Sequence, residues 1–150
     1  MAVIRLTKEF TFEMAHALAG YDGLCREIHG HSYRLFVTVA GEPESDPTHP
    51  KYGMVMDFGV LKKIVNDKIT GVYDHALLMR STAQTQDVIG VLRGKFSKVM
   101  AVDYQPTCEN LLLRFADLIS PELPQGVRLF SLRLHETATS YAEWYGSDNL

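Results

Sequence analysis

Residues 1–16 read MAVIRLTKEFTFEMAH, and the alternation in them decides the fold. Ile4, Leu6, Phe10, Phe12, Met14 and His16 share one face of an extended strand, while Thr7, Glu9, Thr11 and Glu13 point the other way. A second alternating run, residues 29–41, sets His29, His31, Tyr33, Leu35, Val37 and Val39 on one face, and its β-branched and aromatic residues favour a strand. Residues 21–23 are turn-like, so the two runs predict a hairpin.

Outward from that hairpin the period changes. Phe58, Leu61, Ile64, Val65 and Ile69 recur at helical spacing behind Asp57, which suits an N-cap. A second helix is expected behind Thr107, with Leu111, Phe115 and Leu118 as its inner stripe, Leu112, Ala116 and Ile119 widening it, and Pro121 and Pro124 ending it. Residues 127–135 alternate again, with Phe130, Leu132 and Leu134 expected to face inward, and residues 141–145 suit a last strand. Residues 41–53, GEPESDPTHPKYG, form a loop between two ordered halves. Residues 81–104 are the least readable, with a short helix over 88–92 and an extended piece over 99–102. The order strand, strand, helix, helix, strand, strand predicts an α+β fold, a four-stranded antiparallel sheet with helices on one face, and a single domain over residues 1–150. Open edges of such a sheet are normally covered or paired, which predicts oligomerisation by sheet extension.

Composition narrows the function. The chain has 150 residues, 46% hydrophobic and 22% charged, the balance of an ordinary globular protein. Apolar runs such as Leu111, Leu112 and Leu113 are too short to span a bilayer, and the first ten residues carry Arg5, Lys8 and Glu9 rather than an apolar leader, so a cytoplasmic location away from membranes is expected. Fifteen basic against eighteen acidic residues leave a net charge of −3, which speaks against a nucleic-acid partner. Two cysteines make no disulfide framework.

The chemistry concentrates at His16 and at Cys25-Arg-Glu-Ile-His29-Gly-His31. Histidines two apart on a strand project from the same face, and His16 ends the apolar face of the preceding strand. A hairpin would converge three imidazoles, and three nitrogen ligands with one open position describe a catalytic zinc site. An HxH pair alone is more often a polar strand end; the third histidine in phase outweighs that. Cys25 lies in the connecting loop, where a nearby cation would favour its thiolate, although most cysteines are inert. Cys108, at a helix start with no base near it in sequence, is read as structural, and His49, in the proline-rich loop, as solvated. Asp74-His75 could act as an acid/base pair if the fold, or another subunit, brings it to Cys25. Glu109, in the first turn of the helix behind Thr107, also suits the plain role of complementing the helix dipole. Glu136 is in phase with Phe130, Leu132 and Leu134, so its carboxylate should point inward, where it could accept two adjacent N–H donors of a planar heterocycle or pair with Arg34 or Arg133.

Taken together the residues resemble the 6-pyruvoyltetrahydropterin synthase / 6-carboxytetrahydropterin synthase family. The matching pattern is F-x-x-A-H (Phe12 to His16), C-x3-H-G-H (Cys25 to His31), Asp57-Phe58, Asp74-His75, P-T-x-E-N (Pro106 to Asn110) and H-E-T (His135 to Thr137), in the family's order over most of the chain. The resemblance implies the tunnelling fold, a ββααββ subunit whose trimers close a twelve-stranded barrel and stack into a hexamer with sites between subunits. It implies zinc on His16, His29 and His31, proton transfer by Cys25, Asp74 and His75, and a pterin substrate anchored by Glu109 and Glu136 beside Thr107. Three residues between Cys25 and His29 resemble the carboxy type of the queuosine route, which takes 7,8-dihydroneopterin triphosphate to 6-carboxytetrahydropterin, acetaldehyde and triphosphate, more than the pyruvoyl type. Residues 79–98 depart from compact bacterial members by being longer, which bears on the subunit interface or the pocket mouth. A non-catalytic pterin- or metal-binding protein on the same fold would need neither Cys25 nor Asp74-His75. The histidine trio argues against a related cyclohydrolase, which also uses cysteine ligands.

Overall fold

The computed structural model describes residues 2–150, so the strand expected from residue 1 is assessed without Met1. The expected hairpin forms from β1 (Ile4–Ala17) and β2 (His29–Gly41), paired antiparallel from Ile4 opposite Gly41 to His16 opposite His29. Strands β5 (Arg128–His135) and β6 (Tyr141–Tyr145) continue the antiparallel sheet beyond β2.

Two further strands correct the four-stranded antiparallel expectation. Strand β3 (Ala76–Arg80) runs parallel to β1 over Met14–Ala17, and β4 (Val99–Val102) runs parallel to β3, so the sheet is six-stranded and mixed, in the order β4-β3-β1-β2-β5-β6. Strand β3 escaped the reading because it is apolar on both faces, as strands covered on both sides are. Its Ala76 and Leu78 join the main core, whereas Leu77 and Met79 join a second, small core with Ala17, Val99 and Ile89.

Helix α1 (Phe58–Val65) starts where Asp57 accepts the Gly59 N–H at 2.7 Å, and runs through a wider turn, Asn66–Thr70, into the short α2 (Gly71–Tyr73). Leu61, Val65 and Ile69 are buried as their spacing requires, but Phe58 is half exposed: it occupies the first helical position and borders a surface groove beside Ile4, Leu6 and Met54. Helix α4 (Cys108–Ile119) is capped by Thr107, whose hydroxyl accepts the Asn110 N–H at 3.2 Å. Both pack on the face carrying Phe12, Tyr33, Leu35 and Val37; Phe12 stacks on Tyr33 at 5.0 Å and meets the Phe115 edge at 6.1 Å. Phe115 is wholly buried, so truncating it to Ala would cost about 3–5 kcal/mol. Helix α3 (Gln86–Arg93) breaks the expectation of helices on one face: its Ile89 belongs to the small core, across the sheet from α1 and α4.

A register shift between Thr38 and Val39 opposes Thr38 to Ser131 and Val39 to Leu129. The residue between, Phe130, turns away from the core, correcting its expected inward orientation, and lies 3.9 Å from the Arg5 guanidinium. The bulge resets the alternation, so Leu129, Leu132 and Leu134 all face the helices. Among the described residues, β1 has no partner on its β3 side before Met14, and β6 has none beyond β5. No described helix is long and apolar enough to cross a membrane.

Candidate metal centre and acid/base dyad

The hairpin register explains the site. His16 opposes His29, and Met14 opposes His31, so three imidazoles project together from the helix-facing side at the end of the sheet. Their ring centroids lie 4.5 to 5.3 Å apart, and one ligand atom from each falls within 4.8 Å of the others. His16 Nδ1 donates to the Pro106 carbonyl at 2.7 Å, and His29 Nδ1 donates to the Glu27 carbonyl at 2.8 Å. A carbonyl only accepts, so each ring carries its proton on Nδ1 and offers the lone pair of Nε2. The two Nε2 atoms nevertheless face each other at 3.0 Å. Two lone pairs at that distance repel unless a cation sits between them, so the donor set fits a divalent metal that takes imidazole ligands. Burial, reinforced by neighbouring imidazoles, holds both His16 and His31 below the usual 6.5, which keeps them in the neutral, ligating form.

Glu136 stands beside the trio without being one of that mutually close set. Its Oε1 lies 3.5 Å from His16 Nε2, 3.6 Å from His31 Nε2 and 3.5 Å from the Tyr33 hydroxyl. The arginines weighed as its partners are engaged elsewhere: Arg34 Nε donates to Glu9 at 2.7 Å, and the Arg133 guanidinium lies over the Phe36 and Tyr141 rings. Tyr33 was legible only as core. Its position two residues after His31 on the same face carries the missed signal, and its phenol, raised by burial and by Glu136, stays protonated.

Cys25 is exposed in a single 3₁₀ turn, Leu24–Arg26. Its carbonyl accepts the Leu18 N–H at 3.0 Å, which ties the loop to the end of β1 beside the trio. Cys108 is buried, its Sγ donating to the Leu134 carbonyl at 3.3 Å, and burial, with Glu136 nearby, pushes the thiol up to about 12. Thr107 caps α4, and Glu109 is exposed in its first turn. Among the described residues, no hydrogen bond or ion pair joins Glu109 to the trio. His49 is exposed in its loop.

Asp74 and His75 are not brought to the trio within one chain. Asp74 accepts the Glu13 N–H at 2.9 Å and lies 3.1 Å from His75 Nδ1; those contacts, the Glu13 N–H foremost, hold its carboxyl below the usual range. The His75 N–H donates to the Glu13 carbonyl at 2.6 Å, and its φ of 64° is the left-handed region. His75 lines an open cleft with Glu13, Ala15 and Ser32, and Met14 and His31 border the same cleft. Among the described residues, no hydrogen bond or ion pair joins the dyad to the three imidazoles, although His75 and His31 share that cleft.

The family model described as 6-pyruvoyl tetrahydropterin synthase matches residues 5–147. The 6-carboxy-5,6,7,8-tetrahydropterin synthase of Haemophilus influenzae is 34% identical over 143 residues, covering 95% of this chain and 99% of that protein. The protein of the same name from Synechocystis is 34% identical over 125 residues, covering 77% of this chain and 96% of its own. Among solved structures, an uncharacterized protein from Wolinella succinogenes superposes with a TM-score of 0.77 at 20% identity, over 97% of this chain and 99% of that one. The 6-pyruvoyl tetrahydropterin synthase of Caenorhabditis elegans gives 0.68 at 24% identity, over 97% of each chain. These likenesses establish the fold as the tunnelling fold, with β3, α3 and β4 added to the ββααββ frame.

Proposed function

Because the chain belongs to the 6-pyruvoyl tetrahydropterin synthase family, we propose that it is a zinc-dependent 6-carboxy-5,6,7,8-tetrahydropterin synthase, a cytoplasmic lyase of queuosine biosynthesis that converts 7,8-dihydroneopterin triphosphate and water to 6-carboxytetrahydropterin, acetaldehyde and triphosphate. The observation that carries this reading is the convergence of three imidazoles, two of them locked by backbone carbonyls into the metal-binding tautomer, beside an inward-facing carboxylate with no arginine partner. The carboxy type is supported by the three-residue spacing from Cys25 to His29 and by the names of the relatives.

In this reading His16, His29 and His31 hold the zinc. Zinc bound there supplies a Lewis acid that polarises the side-chain oxygens of the substrate. Glu136 accepts the paired N–H donors on the pterin edge, with Thr107 and Glu109 completing the ring site. Cys25, as thiolate, removes a proton from a side-chain carbon. His75, charged and oriented by Asp74, exchanges protons on the other side. Glu136 and the trio hold the ring and the reacting carbons in one geometry, which replaces diffusion by position.

Among the described residues, Asp74 and His75 make no hydrogen bond or ion pair with Cys25, and in this reading one subunit's Asp74 and His75 serve a neighbouring subunit's Cys25. The open side of β1 before Met14 and the open edge of β6 are the edges that would pair in trimers and stack into a homohexamer. Turnover of 7,8-dihydroneopterin triphosphate should disappear on stripping the metal with a chelator and return at one zinc per subunit. Undiminished turnover by metal-free protein would sink the reading.

A further inference from the structure

The peptide between Asp74 and His75 is held at both ends. Its N–H donates to the Glu13 carbonyl at 2.6 Å, and its C=O, the Asp74 carbonyl, accepts from Lys98 Nζ. Lys98 Nζ also reaches the Gly71 carbonyl at 3.4 Å, so one ammonium joins the last turn of the helical arm to the dyad. Lys98 is itself fixed, because its own carbonyl accepts the Leu77 N–H at 2.9 Å.

The two torsions that a flip of this peptide would change are ψ of Asp74 and φ of His75, now 127° and 64°. His75 is the only non-glycine residue at positive φ among those described, and a side chain there persists only where its surroundings over-determine it. The His75 Nδ1 to Asp74 Oδ2 approach of 3.1 Å depends on both torsions.

We infer that Lys98 is a positioning residue for the Asp74–His75 dyad, and that the long excursion from β3 through α3 exists in part to return this ammonium to the Asp74 carbonyl. The inference rests on the reading of the dyad as the proton-transfer pair. It gives residues 79–98 a place in the reaction: α3 docks through Ile89 on the far face of the sheet, and the chain re-enters beside β3 with Lys98 at its start.

The test compares kcat and KM for 7,8-dihydroneopterin triphosphate in holoenzyme variants. Lys98→Met keeps an unbranched stem, one atom shorter, and removes the donor. It should lower kcat by about 10- to 100-fold, the scale of a misplacement of about 1 Å, with KM within about twofold because substrate contacts are untouched. Lys98→Arg, which keeps a donor, should restore most of kcat. Ile89→Val loosens the same excursion without touching Lys98 and should keep the parental kcat; equal loss there would reduce Lys98 to a structural cap and overturn the inference. Parental kcat in Lys98→Met would overturn it as well. Lys98→Gln, whose head falls short of the carbonyls, carries the same expectation and the same overturning result should Lys98→Met not fold. Asp74→Asn separates the two layers: parental kcat there defeats the dyad reading itself, whereas its loss beside an unaffected Lys98→Met defeats only the role of Lys98.

Discussion

Glu136→Gln isolates recognition from metal binding. The carboxylate accepts through both oxygens; the amide keeps one acceptor and turns a donor toward the donors of a pterin edge. One charge-assisted hydrogen bond, worth about 1.5–3 kcal/mol, is lost. The side chain is 28% exposed, so water screens part of that charge. A net loss of about 2 kcal/mol follows, a rise in Kd of about 30-fold at 1.4 kcal/mol per decade. Calorimetric titration with neopterin, which carries the ring edge without the triphosphate, measures this directly. Zinc content by atomic emission should not change, because Glu136 lies outside the set of three imidazoles. Neopterin binding at parental affinity would refute the anchor, and a parallel loss of zinc would move Glu136 into the metal shell.

Other consequences are equally direct. His29→Ala and His31→Ala should fall well below one zinc per subunit, and full zinc in either would remove the metal assignment. Since His16 and His31 sit below the usual 6.5, protons compete for them only at lower pH, so bound zinc should persist through pH 6.5 and be released only on further acidification, as metal analysis after gel filtration would show; loss of zinc already above 6.5 would contradict it. Iodoacetamide near pH 8 should label exposed Cys25 and spare Cys108, whose thiol sits near 12; labelling mainly on Cys108, read by peptide mass spectrometry, would reverse the roles. Cys25→Ala and His75→Ala should each be inactive alone, while their co-expressed mixture should recover activity in about a quarter of sites, the fraction holding one intact half from each subunit; no recovery would place both halves of the site in one chain.

The hairpin, both long helices and the last strand were legible because each obeys one clean period with a recognisable cap or stop: Asp57 and Thr107 cap as their chemistry requires. Strand β3 was not, since Ala76 to Met79 is apolar on both faces and so resembles any buried segment. Phe130 was misplaced because a bulge resets a strand's alternation without a marker in the strand itself. The short pieces within residues 81–104 were found, but the face that α3 would cover depends on β3 and β4, which pair only in the folded sheet.

At the site, the histidine trio could be read from phase alone, since positions 16, 29 and 31 become neighbours once the hairpin closes. Glu136 followed from the phase of Leu132 and Leu134 downstream of the bulge. The carbonyls of Pro106 and Glu27, which orient His16 and His29, belong to the backbone and leave no side-chain signature. The left-handed turn at His75 was hidden for the same reason: histidine does not announce positive φ as glycine does. Lys98 was equally hidden, being a lysine among ordinary surface residues until the fold returns it to Asp74.

The central claim is the reaction itself, and product identity tests it most directly. Purified zinc-loaded protein incubated with 7,8-dihydroneopterin triphosphate, with products resolved by mass spectrometry, should yield 6-carboxytetrahydropterin together with acetaldehyde and triphosphate. Accumulation of 6-pyruvoyltetrahydropterin without acetaldehyde would contradict the carboxy assignment, and recovery of unchanged substrate would contradict catalysis altogether.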